Sequence, residues 1–155
     1  MKFFDEYKRN GFIKIQKANF GQIFRQMTRA RKDVALSKNI IENDPEWAAT
    51  IAYHAMLRAG RALIFSHNYL PADGQQHKTV VELTGLLVGN EFGDLINNFN
   101  RLRKKRNMFF YDSDESCTYT EAEKFIVVAE KLLTIIEKEI KKLSPQFELK
   151  MRSIF

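Results

Sequence analysis

Between residues 17 and 42 apolar side chains recur at spacings of three, four and seven: Phe20, Ile23, Phe24, Met27, Ala30, Val34 and Ile41. That stripe belongs to one face of a long amphipathic helix. The same helical period runs through the rest of the chain, and no stretch shows a convincing alternating strand pattern. A chain patterned in this way buries its apolar faces by packing helix on helix.

The remaining helices follow from their punctuation. Residues 2–15 are mixed, with a short helix expected to end near Asn10-Gly11. Asn43-Asp44-Pro45 closes the first long helix and opens the next, with Asp44 as N-cap and Pro45 at the first helical position, where its missing N–H costs nothing. This second long helix, about 45–67, carries Ala48, Ala49, Ala52, Ala55, Ala59, Gly60 and Ala62. Side chains that small let another backbone approach closely, so it is expected at the centre of the bundle.

Asn68 to Gly74 reads as a loop. Asp73-x-x-Gln76 resembles a capping box opening a third helix through Val80, Val81, Leu83, Leu86 and Leu87, ended by Gly89-Asn90. A fourth helix runs from about Glu91 through Phe99 and Leu102. After an acidic loop, Thr120-x-x-Glu123 reads as a capping box for the last helix, which Ser144-Pro145 closes. The fold class expected is all-α, an antiparallel bundle of four to five helices. Residues 1–16 form an N-terminal extension, 17–142 the bundle and 143–155 a tail. Phe147, Met151, Ile154 and Phe155 of that tail are expected to dock, for instance across a dimer.

At 155 residues the chain is one domain with a real core. Its net charge of +6 favours anionic partners, weakly, because the excess is spread along the chain. Cys117 is the one cysteine, which excludes an intrachain disulfide or thiolate cluster and fits a reducing cytoplasm. The early Asp5-Glu6 argues against a secretory signal, and no uncharged run approaches the ~18 residues a membrane span needs. His54, His67 and His77 have no metal-ligand spacing, so neither metal nor cofactor is expected. Gly85, Gly89 and Gly93 form no phosphate-loop pattern.

The densest charge lies in Arg101-Leu102-Arg103-Lys104-Lys105-Arg106, followed by Asn107-Met108-Phe109-Phe110-Tyr111 and the acidic Asp112-Ser113-Asp114-Glu115. Such a run attracts a phosphate backbone. It can equally be a solvated helix end whose cations offset the helix dipole. Arg58 and Arg61, one turn apart, can face the same groove or simply pack their stems. His77 and Lys78 open a helix and can touch an anion or sit in water.

Metal-independent RNA cleavage needs cations for the charge developing on phosphorus and a group that moves protons near neutral pH. Arg106 can supply the first, and Asn107 can orient a phosphate. Tyr111, with an ordinary pKa of about 10, is a poor base at pH 7 but can donate a hydrogen bond or stack on a base. In an unbroken helix Arg106 lies about 140° from Tyr111, at about 100° per residue. The two then meet at a frayed end, through the long arginine side chain, or across a two-fold interface.

Arg106-Asn107-Met108-Phe109-Phe110-Tyr111 resembles the Arg-Asn-x-x-x-His signature of the HEPN family, helical domains named for nucleotide binding in higher eukaryotes and prokaryotes. Trp47 to Leu63 looks like the family's alanine-rich second helix, and Gly74 to Val80 like its Gly…His-Lys segment. The resemblance covers roughly residues 17–142. It implies a homodimeric helical bundle that brings two arginine motifs into a basic cleft. RNA or a nucleotide is the implied ligand, and many members are metal-independent ribonuclease toxins paired with nucleotidyltransferase-type antitoxins. On that resemblance Arg106, Asn107 and Tyr111 take the catalytic positions. Arg101, Arg103, Lys104, Lys105, Arg58, Arg61, His77 and Lys78 are expected to bind phosphate. Tyr111 stands where the catalytic histidine would be, which weakens the nuclease assignment. Some antitoxins adenylylate a tyrosine two positions beyond that histidine; Ser113 occupies the place here, so that regulation does not carry over. The alternative is a non-catalytic module that docks a nucleotidyltransferase-type partner.

Overall fold

The computed structural model describes residues 1–74, 76–111 and 116–146, with the side chains of Phe110 and Tyr111 excepted. The acidic loop Asp112-Ser113-Asp114-Glu115 and the apolar tail residues Phe147, Met151, Ile154 and Phe155 lie outside them. Five helices make the bundle: α2 (Phe20–Ile40), α3 (Pro45–Ser66), α4 (Gln76–Val88), α5 (Gly93–Tyr111) and α6 (Tyr119–Leu143), preceded by the short α1 (Lys2–Arg9). A 3₁₀ turn, Asn90–Phe92, leads into α5. The protein is an all-α bundle.

α3 is the hub. It packs against α2, α4, α5 and α6, and Ala48, Ala49, Ala52, Ala55, Ala59 and Ala62 are all buried. Its start is the one expected, since the Asp44 side chain accepts from the Trp47 N–H at 3.0 Å above Pro45. Gly60 is where closeness matters most. A Cβ there would lie 2.6 Å from both Thr84 Oγ1 and Val80 Cγ1, so glycine sets how near α4 approaches α3. Across the bundle Arg31 grips Glu137 with two parallel bonds of 2.7 and 2.9 Å, joining α2 to α6.

Three local features differ from the sequence reading. First, β1 (Ile13–Ile15) and β2 (Tyr69–Pro71) pair antiparallel, with Ile13 opposite Pro71 and Ile15 opposite Tyr69. Three residues are too few for a period-two signal, which is why neither strand was legible. Phe4 of α1 is buried and stacks on Tyr69, with ring centroids 4.6 Å apart. Second, α4 is described from Gln76 onward, and the Asp73 carboxylate accepts from the Thr79 hydroxyl at 3.3 and 3.4 Å, a bond with no sequence signal. Third, the capping box of α6 is Thr118 with Glu121, not Thr120 with Glu123. Two Thr-x-x-Glu frames compete there, and burial decides between them. The observed frame puts buried Cys117 and Ala122 at the positions where a hydrophobic staple forms; the other would put exposed Tyr119 and Lys124 there.

Among the described residues no helix is long and apolar enough to cross a membrane, and no group of three His, Cys, Asp or Glu side chains is placed to hold a metal.

Candidate functional site

α5 runs without a break through Tyr111, and its last turn holds no basic residue. The cationic run is therefore mid-helix, and its charges do not serve to offset the dipole at the helix end. An unbroken helix also keeps positions 106 and 111 about 140° apart around the axis. Arg106 meets side chains from other helices.

A cleft of about 680 Å³ opens where α3, α4 and α5 converge. α3 contributes Arg61, α4 contributes Gln76, His77 and Lys78, and α5 contributes Arg103, Arg106 and Asn107, with Asp73 and Gly74 at the entrance from the preceding loop. Beneath it lies Tyr53, fully buried, its hydroxyl 2.9 Å from His77 Nδ1. The Arg106 guanidinium carbon sits 5.8 Å from the centre of the Tyr53 ring, a cation–π arrangement. The Tyr53 ring also packs on Phe99, with centroids 5.8 Å apart, so the site is built directly on the core. Arg61 donates to Gln76 at 3.4 Å and Arg103 to Asn100 at 3.0 Å.

Electrostatics follow from this crowding. Burial pushes the Tyr53 hydroxyl up to about 12, although Arg106, Arg103 and Arg61 pull the other way. Burial lowers His77 below the ordinary histidine value, helped by Arg61, Arg106, His54 and Arg103. At pH 7 the imidazole is thus neutral among cations. If Tyr53 donates to Nδ1, the ring presents Nε2–H; if Nδ1–H donates to Tyr53, Nε2 is a free base. The first tautomer donates to an anion, and the second can take a proton from a hydroxyl.

Six of the expected residues meet here: Arg61, His77, Lys78, Arg103, Arg106 and Asn107. Lys104 lies in an adjoining recess of about 360 Å³ that shares Lys78 and Arg103. Lys105 turns aside to pair with Glu121 at 3.0 Å. Arg101 places its guanidinium 5.2 Å from the Phe125 ring. Arg58 belongs to a different groove, bound to Asp33 at 3.3 Å and to Gln26 at 3.0 Å. The side chain of Tyr111 lies outside the described residues. Tyr53 was not anticipated at all; its one sequence signal is a polar-tipped aromatic in a helix of small residues, where a buried hydroxyl needs a partner. Cys117 is buried, and burial first and Glu121 second push its thiol up to about 11, so it is a poor nucleophile at neutral pH.

A pH dependence follows. His54, His67 and His77 are all lowered, each mainly by burial. The unfolded chain therefore binds more protons than the folded one just below the ordinary histidine value of 6.5. This stabilisation is complete above that value and is lost as pH falls from it through the lowered folded-state pKa values. Thermal melts are expected to show a lower midpoint near pH 5.5 than near pH 7.5, with a smaller drop in His77→Gln. Equal drops in the two proteins would contradict the assignment to His77.

Residues 25–140 match the family model described as HEPN domain. A search of curated proteins finds no match to the chain.

Proposed function

The chain belongs to the HEPN family, and we propose that it binds single-stranded RNA, or a nucleotide, through the α3–α4–α5 cleft. The observation that carries this is the convergence of Arg61, Lys78, Arg103 and Arg106, from three helices, on one open cleft with Asn107 and a neutral His77 among them. Cations so placed neutralise phosphates and release counterions, and the arginine forks match phosphate oxygens. The homodimer and the nucleotidyltransferase-type partner belong to the same reading. Met108, exposed beside the motif, is an apolar side chain that a second copy would cover. The single cysteine suits a cytoplasmic protein.

One observation favours a second reading, metal-independent cleavage: the cleft that holds Arg106 also holds a neutral imidazole. In that chemistry Nε2 of His77 takes the 2′-hydroxyl proton and the 2′-oxygen bonds to phosphorus. The P–O5′ bond then breaks, and the imidazolium returns its proton to the leaving 5′-oxygen. The products are a 2′,3′-cyclic phosphate and a 5′-hydroxyl.

A single experiment tests both readings. Mixed-sequence RNA is incubated in EDTA with wild type, Arg106→Ala, His77→Gln and Tyr111→His. RNA retention that falls about tenfold in Arg106→Ala supports binding. Cutting that His77→Gln abolishes supports cleavage by His77, whereas cutting gained in Tyr111→His alone marks a dormant motif. A wild type that retains no RNA would point to the protein-docking module instead.

A further inference from the structure

A second groove, of about 590 Å³, runs along the seam between α2 and α3. Its floor is apolar, from Ile23, Leu57 and Phe65, and its rim is polar, from Gln22, Gln26 and Arg58. Arg61 lines this groove and the cationic cleft alike, so the two are neighbours along α3. Resting on the RNA-binding reading above, we infer that this groove is a nucleobase subsite, taking the unpaired base of a nucleotide whose phosphate sits against Arg103 and Arg106.

The make-up of the groove favours a base over a second phosphate. Asp33, buried, pairs with Arg58 Nε at 3.3 Å and with Arg29 Nε at 3.2 Å, so one carboxylate offsets part of the charge of two guanidiniums. Gln26 accepts from Arg58 Nη1 at 3.0 Å. A guanidinium held in this way suits stacking on an aromatic heterocycle. Gln22 and Gln26, one turn apart on α2, are amides, the side chains that read base edges by hydrogen bonds. His54 on the same wall is held neutral by burial and by Arg106 and Arg58, so it adds a polar edge without charge. Arg25, Arg58 and Arg61 keep the rim cationic and attract phosphate, while the apolar floor beside the amides favours a base. Such a base must be free of its stack and its pairing partner, so the substrate class is single-stranded.

The test compares a fluorescent single-stranded RNA with an abasic ribose-phosphate oligomer of equal length, at equal salt. The base-bearing strand is expected to bind about tenfold more tightly, the scale of one well-stacked base. In Gln22→Ala/Gln26→Ala its affinity is expected to fall toward that of the abasic oligomer. Equal wild-type affinity for the two oligomers would overturn the base subsite while leaving phosphate binding intact. A gap unchanged in the double variant would overturn its placement on the α2–α3 seam. Binding of neither oligomer would overturn the RNA-binding reading and the subsite with it.

Discussion

Gly60→Val is expected to destabilise the protein by about 3 kcal/mol and to weaken RNA binding without touching the cleft. A Cβ at position 60 meets Thr84 Oγ1 and Val80 Cγ1 at 2.6 Å, a distance that side-chain Cβ atoms do not tolerate. Valine adds two methyl groups to that collision, so α4 must back away from α3. His77, one residue into α4, then loses its 2.9 Å contact with Tyr53, which is anchored in the core of α3. Denaturant unfolding measures the first effect and RNA titration the second. Adding Val80→Ala and Thr84→Ala to the variant should recover part of the lost stability, a coupling that distant sites would not show. A Gly60→Val protein as stable as wild type would mean that the helix approach is not set there.

The second large effect is on binding alone. Arg103→Glu/Arg106→Glu removes two of the four cleft cations and installs repulsion, so RNA affinity should fall by about a hundredfold or more. Both residues are half-buried and Arg106 Nε is buried, so a retained helical spectrum must accompany the loss of affinity. Lys105→Ala is the control. Its ammonium is engaged by Glu121 on α6, away from the cleft, and its loss should cost at most about 1 kcal/mol of stability. An equal loss of affinity in Lys105→Ala would mean that RNA reads the charge of the whole run, as the sequence alone suggested.

Much of the architecture was legible because long helices announce themselves over many turns. The α2 stripe, the Asp44-Pro45 start of α3, the small residues of its buried hub and the Gly89 stop of α4 all follow from local chemistry. Where two frames satisfied the same rule, as at Thr118 and Thr120, local chemistry could not choose, because tertiary burial of Cys117 and Ala122 decides. The strands were invisible for the opposite reason, being three residues each. The candidate site divides in the same way. A charge run can be counted in sequence, but which of its members turn into the cleft depends on partners from far along the chain. Lys105 goes to Glu121, Arg101 lies by Phe125, and Arg103 and Arg106 face His77 and Arg61. The Tyr53–His77 bond spans two helices whose closeness rests on one glycine, and no spacing rule reports that.

The most direct test of the central claim is the salt dependence of RNA binding by the wild-type protein. Four cleft cations neutralising phosphates of a single strand predict that log K falls against log salt with a slope of about −3. A slope near zero, or no binding at low salt, would contradict the assignment of the α3–α4–α5 cleft to RNA.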